Sequence, residues 1–207
     1  MPPAVSERVV FGNGLKKILL LGESTVAGVG ASSPEFSIAG HLATLLGPNY
    51  EVQSLGKTGL RAAQVFSSFE SELSGSNGPF DGILVFLGAN DCFRLTHPLD
   101  FNSQLEALIT GLKLRYSPNW IYLADIPPVH LFPAFPSLLR SFLKSQRKFL
   151  QQEMIRLSTA DHQLIFNRIS LTLSPEFFSS DGVHPSDIGY EKVAEFAMEG
   201  IKKRLKA

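Results

Sequence analysis

Ser24 stands just past the apolar run Ile18–Leu21, in Gly22-Glu23-Ser24, where a tight turn could present its hydroxyl as a nucleophile. A serine hydroxyl attacks poorly at its free pKa and needs a neighbouring base. The chain has 5 histidines, His41, His97, His130, His162 and His184. His184 differs in having a carboxylate three residues before it, in Asp181-Gly182-Val183-His184-Pro185. Across a turn, that offset can lay Asp181 against the imidazole, fixing its tautomer and stabilising the imidazolium formed during attack. Gly182 permits an unusual turn, and Pro185 biases His184 toward extended backbone. The chemistry such a set could perform is acyl transfer through a covalent serine ester.

That chemistry also needs donors for a developing oxyanion. The Ser24 N–H, at the expected start of a helix, is one candidate. Gly59, in Gly56-Lys57-Thr58-Gly59, could offer a backbone N–H where a side chain would block approach. Gly88-Ala89-Asn90-Asp91 directly follows the apolar run Ile83–Leu87, so Asn90 could aim its amide at the same point. Each residue has a plainer reading alone: Ser24 as a helix cap, Asn90-Asp91 as turn chemistry, Gly59 as a loop glycine, Asp181-x-x-His184 as a surface loop entering a helix. The elbow G-x-S-x-G does not fit, because Val26 occupies the second glycine position. A Walker loop fails for want of Gly-Lys-Ser/Thr. A metal site through Asp91, Asp181 and His184 would lack the dense His/Asp/Glu clustering that such centres use, so no metal and no cofactor are expected. A non-catalytic, flavodoxin-like binding module whose loop glycines cradle a phosphate is the remaining rival.

The elements that must position these residues follow from the apolar pattern. Five short runs, Ile18–Leu21, Glu51–Ser54, Ile83–Leu87, Trp120–Ala124 and Leu164–Phe166, read as strands, the first, third and fourth nearly continuous as in parallel strands covered on both faces. Helical patterns lie between and after them at Phe36–Leu46, Ala62–Leu73, Phe101–Tyr116, Ser137–Ser158 and Asp187–Leu205. In Ser137–Ser158, Leu138, Leu139, Phe142, Leu143, Phe149, Leu150, Met154 and Leu157 are expected to share one face. Ser186 is a plausible N-cap for the last helix, with Asp187 favourable in its first turn. Strand–helix alternation predicts a three-layer α/β/α sandwich around a parallel five-stranded sheet. The chain is read as one domain over 1–207, with 1–14 an N-terminal extension. Ligands gather at the carboxyl ends of such strands, where the Ser24, Gly59 and Asn90 motifs fall.

Composition narrows the partners. Lys plus Arg and Asp plus Glu are both 19, leaving no basic surplus for a nucleic-acid backbone. Cys92 is the one cysteine, so an internal disulfide is impossible. No apolar run reaches the length of a membrane span or a signal peptide, and a cytoplasmic location is the expectation. The segment Ile126–Pro136 carries Val129, Leu131, Phe132 and Phe135 among its prolines. Val129 and Phe132, with Phe93 and Arg94 beyond Asn90, are candidate substrate-binding residues, the arginine toward a substrate carboxylate. A small ester with an apolar acyl group is the expected partner.

In their order and spacing, Gly22-Glu23-Ser24, Gly59, Gly88-Ala89-Asn90-Asp91 and Asp181-Gly182-Val183-His184-Pro185 resemble the four blocks of the SGNH (GDSL-type) hydrolases. The resemblance implies a flavodoxin-like sandwich and a serine esterase or lipase-like activity. It implies Ser24, Asp181 and His184 as the triad, and the Ser24 N–H, the Gly59 N–H and the Asn90 side chain as the oxyanion hole. Carbohydrate O-deacetylation or acyl transfer would use the same triad. Two departures stand out: Glu23 replaces the usual Asp, and Ser54 stands where many members carry Asn. The stretches Gly22–Gly30 and Ile126–Pro136 resemble the branch that includes long-chain N-acyl amino acid esterases.

Overall fold

A computed structural model describes residues 8–75 and 78–206. Six strands form one mixed sheet in the order β1-β3-β2-β4-β5-β6. They are β1 (Arg8–Phe11), β2 (Lys16–Gly22), β3 (Tyr50–Gly56), β4 (Gly82–Phe86), β5 (Trp120–Ala124) and β6 (Leu164–Asn167). The five strands expected from the sequence run parallel. β1 is an addition: it pairs antiparallel with β3, Phe11 opposite Val52. Part of the expected extension 1–14 is therefore an edge strand, while residues 1–7 lie outside the described residues. An edge strand covered on one side needs no continuous apolar run, and in Arg-Val-Val-Phe only Val9 and Phe11 are half-buried.

The helices are α1 (Ile38–Leu46), α2 (Val65–Ser68), α3 (Glu70–Gly75), α4 (Ala89–Phe93), α5 (Pro98–Tyr116), α6 (Ser137–Ala160) and α7 (Asp187–Leu205). Alternate strand residues feed two cores. Ile18, Leu20, Leu84 and Tyr122 meet α1 and α7 through Ile38, Leu42, Tyr190 and Ala197. Leu19, Leu21, Val85 and Leu123 meet α5 and α6 through Leu105, Leu112, Leu150 and Met154.

Three expectations need correction. Phe36–Leu46 is not one helix: Pro34–Phe36 is a 3-10 turn, and Ser37 then caps α1 by accepting from the Gly40 N–H. Ala62–Leu73 breaks into a 3-10 turn, α2 and α3, around Ser67-Ser68-Phe69, where serines favour alternative backbone hydrogen bonding. In α6 only Leu143, Leu150 and Met154 of the expected stripe are fully buried, whereas Leu138, Leu139, Phe142 and Phe149 are exposed. The helix rests on the core through residues seven and four apart, a narrower seam than its apolar residues suggest.

Candidate active site

β2 and β4 end side by side, Gly22 opposite Phe86, and hand their chains to the two segments that carry Ser24 and Asn90. Ser24 does not open a regular helix, as the sequence reading expected. It lies on a series of tight turns over 24–30, where Ala27 N–H donates to the Glu23 carbonyl and Val29 N–H to the Ser24 carbonyl. The segment after β4, read from sequence as a turn, winds into the short α4 and carries Asn90 and Phe93.

His184 arrives from the other end of the chain. Ser179 N–H donates to the His184 carbonyl, and Phe178 pairs with Pro185, so the loop between them closes as a small hairpin. α7 then locks this loop to the Ser24 turns. Asp187 accepts from the Ser32 N–H at 2.8 Å and the Ser32 hydroxyl at 2.6 Å. Tyr190 donates its hydroxyl to the Val29 carbonyl at 2.7 Å. Gly30, at φ +99, passes so close to Pro185 that a Cβ there would sit 2.5 Å from the Pro185 carbonyl oxygen.

The result is a continuous polar chain across 160 residues of sequence: Nε2 of His184 lies 2.9 Å from Ser24 Oγ, and Nδ1 lies 2.6 Å from Asp181 Oδ2. The other Asp181 oxygen accepts from the Val183 N–H, the His184 N–H and the Ser179 hydroxyl, each at 2.9 Å. Burial opposes ionisation of Asp181, but the His184 side chain and these donors outweigh it and hold the carboxyl well below its usual range. Asp181 is thus an anion beside the imidazole, the condition for favouring a histidine that gains a proton.

Asn90 and Gly59 line the same cavity as Ser24. Gly59 has φ +76, a conformation that favours glycine, and a Cβ there would meet nothing within 4 Å, so the positive φ rather than crowding is what calls for glycine. Asn90 is held by Glu23, whose Oε2 accepts from the Asn90 N–H at 3.0 Å and the Asn90 Nδ2 at 2.5 Å, while Oε1 accepts from the Ala89 N–H at 3.2 Å. One Nδ2 hydrogen remains for another acceptor. Burial raises Glu23 from its ordinary 4.5 to about 7 against these donors, and nearby Asp91 adds to the rise. Sequence reasoning noted Glu23 only as a departure from Gly-Asp-Ser, and its grip on Asn90 was not apparent there.

Phe93 and Phe132 also line the cavity, which has a volume of about 290 Å³. Two other candidates do not line it. Val129 is buried in the α5–α6 core, and Arg94 is exposed at the C-cap of α4. The cavity instead recruits Ile169, Leu171, Leu173, Val193 and Phe196, which the sequence reading passed over. Their spacing resembles ordinary loop and helix packing, so no local signal marks them. Asp91, weighed as a metal ligand, accepts from the Ala62 N–H and the Thr96 hydroxyl and ties α4 to the segment after β3. Among the described residues no three His, Cys, Asp or Glu side chains converge as a metal site would need.

An open α/β sheet with a Ser–His–Asp chain at the carboxyl edge of its strands defines the class of α/β serine hydrolases. The sequence matches the model of the GDSL-like Lipase/Acylhydrolase family over residues 20–192, and the chain belongs to that family. It is a carboxylic ester hydrolase. No curated protein matches the sequence significantly. Among solved structures, a member of the lipolytic G-D-S-L family from Veillonella parvula superposes with a TM-score of 0.72 at 14% identity, covering 89% of this chain and 97% of that one. The psychrotrophic esterase EstA from Pseudoalteromonas sp. gives 0.71 at 18%, covering 93% and 100%. A carbohydrate acetylesterase family member from Sinorhizobium meliloti gives 0.69 at 18%, again covering 93% and 100%. At these identities the likeness is one of fold. None of the helices among the described residues is long and apolar enough to cross a membrane.

Proposed function

We propose that the chain hydrolyses small esters with an apolar acyl group through an acyl-enzyme on Ser24. The observation that carries this reading is the unbroken Ser24–His184–Asp181 chain at 2.9 and 2.6 Å. His184 takes the Ser24 proton as Oγ bonds to the acyl carbon. The oxyanion accepts from the Ser24 and Gly59 N–H groups and the free Nδ2 hydrogen of Asn90. Collapse breaks the bond to the alcohol, which leaves with the proton from His184. Water then attacks the acyl-enzyme by the same steps, releasing the acid and restoring the serine. Glu23 is a positioning residue that keeps the Asn90 amide in place, a role its extra methylene preserves by reaching both backbone amides of α4's first turn.

p-Nitrophenyl acyl esters test the assignment. Wild type is expected to cleave them and to take a fluorophosphonate on Ser24, located by mass spectrometry, while Ser24→Ala loses both properties. Full turnover in that variant would remove Ser24 from the mechanism.

Sugar O-deacetylation, the narrower alternative, is less well supported because an acetyl group would leave the apolar cavity behind Ser24 unfilled. Transfer of the acyl group to an alcohol other than water remains compatible with the same residues, as does cleavage of N-acyl amino acid esters suggested by Gly22–Gly30. Acetylated sugars and N-acyl amino acid esters in the substrate panel separate these. The lone, unpaired Cys92 suits a cytoplasmic setting.

A further inference from the structure

The cavity extends well beyond the reacting atoms. From Ser24 at the end of β2, its lining passes to Phe86 at the end of β4, then to Tyr122 and Ala124 on β5, and finally to Ile169 just past β6. On the α7 side it is closed by Val193 and Phe196. These strands are neighbours in the order β2-β4-β5-β6, so the path crosses two inter-strand steps to Ala124 and three to Ile169. At about 4.8 Å per step that is roughly 10–14 Å.

The outer wall is pinned rather than loose. Asp125 Oδ2 accepts from the Ile169 N–H at 3.0 Å, from Arg147 at 3.0 Å and from Gln151 at 2.7 Å, tying the segment after β6 to α6. A wall held this way measures length instead of yielding to any guest.

We propose that this cavity is a tunnel for one linear acyl chain of medium length, with Val193 and Phe196 setting where the chain must stop. The inference rests on Ser24 being the nucleophile. An extended chain advances about 1.2 Å per bond, as the reach of a polypeptide shows, so 10–14 Å holds roughly eight to twelve carbons. Volume leads to the same range: an apolar cavity of about 150 Å³ accommodates the six carbons of benzene, and this one is about twice that. The acyl carbonyl stays at Ser24, and the alcohol faces Thr58 and Asn90 at the open end.

The test is a series of p-nitrophenyl esters from acetyl to palmitoyl, each below its micellar concentration. For wild type, kcat/KM is expected to climb about fourfold per methylene, the factor for burying one CH₂, and to peak between eight and twelve carbons. Ala124→Phe places a ring across the path ahead of its far end and should move the peak to six carbons or fewer. Phe196→Ala opens the far end and should move it toward longer chains. The ratio of decanoyl to butyryl turnover within one variant cancels its folded fraction. Should Ala124→Phe not fold, Phe196→Ala decides alone. Ser24-dependent hydrolysis with a flat profile beyond butyryl, or a peak unmoved by the folding variants, overturns the tunnel and leaves the serine mechanism standing. Loss of Ser24 dependence itself sinks the mechanism and the tunnel with it.

Discussion

Asn90 shows how a side chain of ordinary reach becomes a fixed electrostatic tool. Its amide has two hydrogens, and Glu23 engages one of them at 2.5 Å while also holding the Asn90 backbone. The second hydrogen is thereby oriented before any substrate arrives, which is the source of oxyanion stabilisation without reorganisation. Removing the amide as Asn90→Ala is expected to lower kcat by about 10²–10³ with little change in KM, since the interaction forms mainly in the transition state. Steady-state kinetics on a p-nitrophenyl ester would measure this, and an unaltered kcat would strike Asn90 from the oxyanion hole. Asn90 itself was legible in sequence because Gly88-Ala89-Asn90-Asp91 takes its place among four ordered blocks that resemble those of the SGNH hydrolases. Its partnership with Glu23 was not, since 66 residues separate Ala89 from Glu23 and only the pairing of β2 with β4 unites them.

At the scale of elements, α7 is the part that joins the two ends of the site. The Ser186 cap marks its start in the sequence, and the structure gives the expected range, Asp187–Leu205, with Ser186 accepting from the Gly189 N–H. In the first turn Asp187 complements the helix dipole. It also reaches Ser32 with both oxygens, and so fastens the His184 loop to the Ser24 turns. Asp187→Ala is therefore expected to cost about 1 kcal/mol in urea unfolding and to lower kcat more than the cap alone would explain, because the 2.9 Å contact between Ser24 and His184 loses a tether. Unchanged turnover with the same loss of stability would assign Asp187 to the helix only. The exposed Leu138, Leu139 and Phe142 show the converse failure of pattern reading. Apolar spacing tells which residues could be buried, while the width of the buried seam depends on what α5 and the sheet place against α6.

Two carboxyls of the site, half-buried Asp181 and buried Glu23, are linked to the stability of the whole molecule with opposite sign. Asp181 lies below its usual range, so it stabilises the fold above about pH 4 and that contribution is lost as pH falls through its folded value. Glu23 is raised from 4.5 to about 7, so its contribution is fully present below 4.5 and is lost as pH rises toward 7. Replacing it by Gln removes that second dependence. Between pH 5 and 7.5 the unfolding free energy of wild type should fall relative to Glu23→Gln, by on the order of 2 kcal/mol. Parallel urea-midpoint curves for the two proteins would show that Glu23 does not titrate in this window.

Much of this molecule was written in one dimension. The continuous apolar strands, the helices between them and the motifs at strand ends depend on local burial, which sequence periodicity reports directly. The α/β layers and the residues Ser24, Asn90, Asp181 and His184 could therefore be singled out before any coordinates. Only tertiary structure decided what those residues touch. The strand order β3-β2-β4-β5-β6 sets Ser24 beside α4, and α7 folds back across it to deliver His184. The same order opens a cavity whose walls, Ile169 and Phe196 among them, look in sequence like any packed side chains. β1 likewise escaped notice, because an edge strand half-covered on one face leaves too few apolar positions to announce itself. Proximity between distant segments follows from topology, and periodicity along the chain carries no measure of it.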